Sequence, residues 1–214
     1  LNLTANTPAT ATIPVTACIP SKNDFVDKFA LHITSNDPIS VYAMNFGSAI
    51  ADGALAYPIT AYGADYYVAS YEGITASANS SFTIVATEDS TVVEITPTVN
   101  TMANHNAGTP YTVNLNKGET YMEFGESTKD LTGTYIREIN KKKIAVYSGT
   151  KCVNIPAGCS ACDVLMEQVI PIDKLGKNYL LANLSADTIV PAYTYRVIST
   201  KDNNDISVNG TVVT

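Results

Sequence analysis

The chain repeats itself, and a repeat limits the possible folds before any single residue is weighed. Pro58-Ile-Thr-Ala-Tyr-Gly63-Ala-Asp-Tyr66 aligns with Pro171-Ile-Asp-Lys-Leu-Gly176-Lys-Asn-Tyr179, an offset of 113 (171 − 58). Phe82-Thr-Ile-Val-Ala-Thr87-Glu-Asp89 aligns with Tyr195-Arg-Val-Ile-Ser-Thr200-Lys-Asp202 at the same offset. Upstream, Ile39-Ser-Val-Tyr42 aligns with Ile144-Ala-Val-Tyr147 at an offset of 105 (144 − 39). A cysteine-bearing loop after Tyr147 absorbs the difference. The expected organisation is an N-terminal arm over 1–26 and a first β repeat of about 105 residues over 27–132. A second β repeat with the cysteine loop, expected to be incomplete, fills 133–214.

The pieces inside each unit read as strands. Ile39–Met44, Tyr66–Ser70, Phe82–Thr87 and Val92–Ile95 are short β-branched and aromatic runs bounded by Gly, Pro, Asn or Asp. Thr87–Thr91 reads as a hairpin turn. Tyr111–Leu115, Asn116-Lys-Gly118 and Glu119–Phe124 read as a second hairpin in which Gly118 supplies a positive φ. Tyr135–Ile139 and Lys143–Tyr147 read as a third, around Asn140-Lys-Lys. Asp163–Ile170 is the one stretch with helical potential, and Pro171 would end it. The fold class is therefore all-β, with two repeated antiparallel units. A tandem β-sandwich is preferred over β-propeller-like blades, because self-similarity appears at the length of a sandwich, not of a blade.

Composition excludes several functions. The net charge is −7, and the only basic cluster is Lys141–Lys143, read as a solvated turn, so nucleic acid is not an expected partner. No apolar run is long enough for a membrane span. The chain opens at Leu1 with a Thr/Pro-rich stretch and no signal-peptide pattern, which reads as a mature or trimmed product. Four cysteines, Cys18, Cys152, Cys159 and Cys162, three of them in one loop, suggest disulfides and an oxidising compartment. The same loop carries a C-x6-C-x2-C spacing compatible with zinc and a CxxC compatible with redox chemistry. Neither is favoured: His32 and His105 are distant in sequence, and no βαβ unit surrounds the motif. Asn2, Asn79, Asn183 and Asn209 each begin a glycosylation sequon.

Lys143-Ile-Ala-Val-Tyr-Ser-Gly-Thr-Lys-Cys152, Cys162-Asp-Val-Leu-Met-Glu167-Gln168-Val-Ile-Pro171 and Leu175-Gly-Lys-Asn-Tyr179 resemble the N-terminal domain of the IgGFc-binding protein family. Ile84–Val92 and Leu115–Tyr121 are similar to it as well, so the resemblance runs from about Phe29 to the C-terminus. Val164 departs from the family pattern, which usually has His there, and no role of that His carries over. The resemblance implies a secreted or cell-surface binding role linked to mucus, adhesion or the Fc part of IgG. It also implies a Cys152–Cys162 disulfide, leaving Cys18–Cys159 as a second bond, although four cysteines allow three pairings.

Catalytic chemistry finds little support. There is no G-x-S-x-G elbow, no phosphate-cradling Gly-rich loop and no Trp. His32 is expected on a strand and His105 in an exposed loop. Glu88, Asp89 and Asp202 offer acidic oxygens in the repeated turns, but Asx-type turns explain them better than a cation does. Glu167 and Gln168 are read as holding the cysteine loop through backbone hydrogen bonds. The chain is therefore expected to be a non-enzymatic extracellular binding or adhesion module without cofactor, its partner a protein or glycan. The alternative is a filament or sheath protomer that binds copies of itself, with Ala9–Thr16 as a strand to donate.

Overall fold

The computed structural model describes residues 4–14, 22–47, 51–156, 158, 161–182 and 194–213. Cys18, Cys159, Asn2 and Asn183 lie outside them, so the expected Cys18–Cys159 bond and two sequons have no described geometry.

Period-two burial builds the centre. In β5 (Ser80–Ala86), Phe82, Ile84 and Ala86 are buried on one face while the residues between them are half-buried. β6 (Thr91–Thr96) repeats the pattern with Val93 and Ile95. Strands of this kind stabilise only when two such faces meet. One sheet runs β1 (Phe25–Asp27), β8 (Thr120–Phe124), β5, β10 (Ile144–Val153), β11 (Asp163–Gln168). The other runs β4 (Asp65–Tyr67), β9 (Tyr135–Glu138), β6, β7 (Tyr111–Leu115). Phe82, Ile84 and Val146 from the first meet Tyr66, Ile95 and Ile136 from the second in one core. Each such side chain, once buried, contributes roughly 1.5–3 kcal/mol. The all-β expectation holds, and the layered arrangement is that of a sandwich. No helix among the described residues is long and apolar enough to cross a membrane.

Two further hairpins flank this body. β2 (Val41–Phe46) pairs with β3 (Ala51–Ala56), and β12 (Ile206–Val208) pairs with β13 (Thr211–Val213). The β12–β13 turn has positive φ at both Asn209 and Gly210, the backbone of a two-residue turn that matches strand twist. Ala9–Pro14 form no strand.

The structure corrects several local expectations. The segments read as hairpins are arches: β5 and β6, β7 and β8, and β9 and β10 each lie in opposite sheets. Asp163–Gln168 is strand β11, because it pairs with β10 over Tyr147–Val153 and that pairing overrides its helical potential. Strand pairing crosses the 132/133 position. β10 hydrogen-bonds to β5 from Ile144↔Ala86 to Thr150↔Ser80, and β9 pairs with both β4 and β6.

The repeat has a local structural counterpart. Pro58 and Pro171 each precede a 3-10 turn, Ile59–Ala61 and Ile172–Lys174, with nearly equal backbone angles at the preceding proline. In the first, the Gly63 N–H donates to the Tyr66 hydroxyl at 2.9 Å; in the second, the Gly176 N–H donates to Tyr179 at 2.8 Å.

Candidate functional site

β3 is Ala-Asp-Gly-Ala-Leu-Ala, a sequence with little intrinsic strand preference. Bonds from distant residues hold it instead. The Ala51 N–H donates to Asp163 Oδ1 at 2.9 Å, and the Met166 N–H donates to Asp52 Oδ2 at 2.6 Å. The Tyr57 N–H donates to Gln168 Oε1 at 2.6 Å. With β3 seated against β11 in this way, the alternation of β2 turns one set of side chains outward. Tyr42 and Phe46 are 72% and 75% exposed, and Met44 and Leu55 stand beside them. The register makes these one face: Tyr42 lies opposite Leu55 and Met44 opposite Gly53. The Met44 sulfur occupies the space a Cβ on Gly53 would need, at 2.4 Å. Two aromatics, a methionine and a leucine left in water on one hairpin face have the composition of a protein-docking patch.

A second cluster is polar. Asp24, His105 and Glu123 place ligand-type atoms within 4.8 Å of one another, the one such group among the described residues. His105 Nε2 is 3.2 Å from Asp24 Oδ1 and 3.7 Å from Glu123 Oε2. The carboxylates already have partners. The Tyr121 hydroxyl, 2.7 Å from Asp24 and 3.0 Å from Glu123, shares its proton between them. The Phe124 N–H faces Asn23 Oδ1 at 2.7 Å and Glu123 Oε1 at 3.0 Å. His105 stacks on Tyr111 at 3.6 Å. Burial pushes the Glu123 carboxyl up from the ordinary value, and nearby Asp24 adds to this. Tyr121 and Tyr111 are raised as well, burial again being the main cause. The cluster ties β1 and the His105 loop to β8; its groups satisfy one another.

The residues singled out from sequence are dispersed. Cys152 and Cys162 form a disulfide across the β10–β11 loop, the pairing that the family resemblance implies. Asn79 is buried, and its amide nitrogen is shared among the carbonyls of Ala76, Gly125 and Ser127. A glycan there has neither a free nitrogen nor room; Asn209 is exposed. Gln168 is buried and spends its oxygen on Tyr57, not on the cysteine loop. Glu167 is exposed on its strand, and desolvation and then the charge of Asp52 raise its carboxyl. Asp89 accepts from the Lys117 N–H, 28 residues away, and not from its own turn. Glu88 and Asp202 are exposed. His32 lies exposed outside any strand, and His105 is stacked in the polar cluster instead of being solvated. The lysine turn is tethered: Lys141 pairs with Asp65, and Lys142 donates to the Asp89 and Ser90 carbonyls. Sequence reasoning missed Asp24, Tyr121 and Glu123. Only the two-residue spacing of Tyr121 and Glu123, which puts both on the core face of β8, could have hinted at them.

A family model described as IgGFc binding protein matches residues 52–214, beginning inside β3 and not near Phe29. No curated protein and no solved structure matches the chain.

Proposed function

The chain belongs to the IgGFc-binding protein family, and from that premise we propose that it is a secreted binding and adhesion module of the cell surface, mucus or matrix. It acts by holding a protein ligand, not by catalysis. The observation that carries this reading is the exposed Tyr42–Met44–Phe46–Leu55 face, which a protein partner would cover. The Cys152–Cys162 bond suits an oxidising compartment. The family description makes the Fc fragment of IgG the first probe to use, followed by purified mucin and matrix glycoproteins. Interferometry with the immobilised chain should find one of these bound, and Phe46→Ala should weaken that binding at least about tenfold, as loss of an aromatic anchor does. Equal binding by wild type and variant would place the ligand elsewhere.

A second reading, a protomer of a filament or sheath joined by strand contacts, is favoured by one specific feature. Among the described residues β2 pairs with β3 alone, so its other edge is open.

A further inference from the structure

We propose that a cleft at the β4 edge of the β4–β9–β6–β7 sheet binds an uncharged sugar ring. The site uses none of the residues of the Tyr42–Leu55 face and is independent of what that face binds.

Strand register builds the aromatic part of the cleft. Tyr66 lies opposite Ile136, and both are buried in the core. Alternation turns their neighbours to the outer face of the sheet: Asp65 and Tyr67 on β4, Tyr135 and Arg137 on β9. Tyr67 is directly opposite Tyr135, and the two rings stand 5.3 Å apart with a tilt of 40°. The tip of Tyr135 is fixed, because its hydroxyl donates to Asp65 Oδ1 at 2.7 Å. Burial, and then Asp65, push the pKa of Tyr135 up to about 12, so the proton stays in that bond. The rest of the lining comes from far along the chain. The 3-10 turn after Pro171 brings Ile172 and Asp173, and the segment before β12 brings Thr200 and Lys201. The cleft they bound has a volume of about 400 Å³, within the range of small-ligand sites.

Charge selects the ligand class. Asp65 pairs with Lys141 at 2.8 Å and Asp173 with Lys174 at 2.6 Å, while Lys201 forms no ion pair among the described residues. Two carboxylates in the lining disfavour an anion, and the Lys201 ammonium disfavours a cation. A neutral ligand rich in hydroxyls suits both. A carboxylate has lone pairs to accept from O–H groups even while it holds a lysine, and Lys201 and Thr200 can donate to ring and hydroxyl oxygens. The negative π faces of the tyrosines favour the slightly positive C–H groups of a ring, and Ile172 adds apolar surface. A hexopyranose presents both an apolar C–H face and a polar rim at this size.

Saturation-transfer NMR on the full chain tests this. The probes are methyl glycosides of glucose, galactose, mannose and N-acetylglucosamine, with glucuronic acid and glucosamine as charged comparators. At least one neutral glycoside should receive saturation at its ring C–H protons. In nitrogen-15-labelled protein it should shift the amides of Asp65, Tyr67, Tyr135 and Lys201. Tyr67→Leu keeps apolar bulk but removes the ring, and should weaken that sugar at least about tenfold. Lys201→Ala, at an exposed position, should weaken it several-fold with Tm unchanged, which keeps the test decisive if Tyr67→Leu unfolds. Phe46→Ala should bind the sugar as wild type does. No saturation of any neutral glycoside, shifts confined to other amides, tighter binding of the charged comparators, unimpaired binding by Lys201→Ala, or loss of binding in Phe46→Ala would each overturn the proposal.

Discussion

Tyr66 and Tyr179 hold the same place in the repeat but have different energetic weight. The hydroxyl of Tyr66 is buried, bridges Gly63 and Ile144, and has its pKa pushed up to about 12, chiefly by burial. Tyr66→Phe leaves the half-buried Gly63 N–H and the buried Ile144 carbonyl short of a partner and should cost about 1–3 kcal/mol in urea unfolding. Tyr179→Phe in the monomer should change stability by less than about 0.5 kcal/mol, as exposed substitutions do. Glu123 makes a pH prediction. Burial raises its carboxyl above the ordinary 4.5, outweighing the hydrogen bonds from Tyr121, Phe124 and Asn23 that lower it. The folded state therefore binds its proton more tightly than the unfolded state does. Its contribution is fully present below 4.5 and is lost as pH rises through the raised value. Asp24, His105, Tyr111 and Tyr121 face the same space. Glu123→Gln should flatten the fall in stability above pH 4.5 relative to wild type, measured as urea midpoints across pH. An unchanged slope would show that Glu123 does not titrate in that range. None of this was legible beforehand: Asp24 and His105 are 81 residues apart, and only packing of β1 on β8 joins them.

At the scale of elements, sequence resolved the strands but not their partners. Turn chemistry at Asn116-Lys-Gly118 was read correctly, with Gly118 at φ 75. A turn reverses the chain whether the next strand joins the same sheet or the facing one, and here all three arches cross to the facing sheet. The alternation of β5 and β6 could not decide this, because both sheets bury one face against the same core. Where β10 meets β11, two predictions test the pairing. A Cβ on Gly149 would sit 1.9 Å from the Leu165 carbonyl oxygen, a backbone atom that cannot swing away. Gly149→Ala should therefore destabilise by about 1–3 kcal/mol, the range for overpacking. The Cys152–Cys162 bond closes a loop with a sequence separation of 10. Replacing both by Ser should cost about 2–3 kcal/mol on the loop-entropy model, seen as a lower urea midpoint.

For the whole molecule, the sequence led to the expectation of two similar units in a row. The turns after Pro58 and Pro171 share a local arrangement. The hydrogen bonds interleave the two expected units, with β10 from the later half completing the sheet begun by β5. The aromatic face of β2 stands in water. The exposed aromatic face was illegible because the exposure of Tyr42, Met44 and Phe46 goes with the seating of β3 against β11 by three hydrogen bonds to residues far away in sequence. The central claim is that this face binds an extracellular protein. Its most direct test is an equilibrium titration of wild type and Phe46→Ala against IgG Fc, mucin and matrix glycoproteins. The account predicts saturable binding of at least one of these by the wild type, weakened at least about tenfold by Phe46→Ala. Binding of none, or binding that Phe46→Ala leaves unchanged, would contradict it.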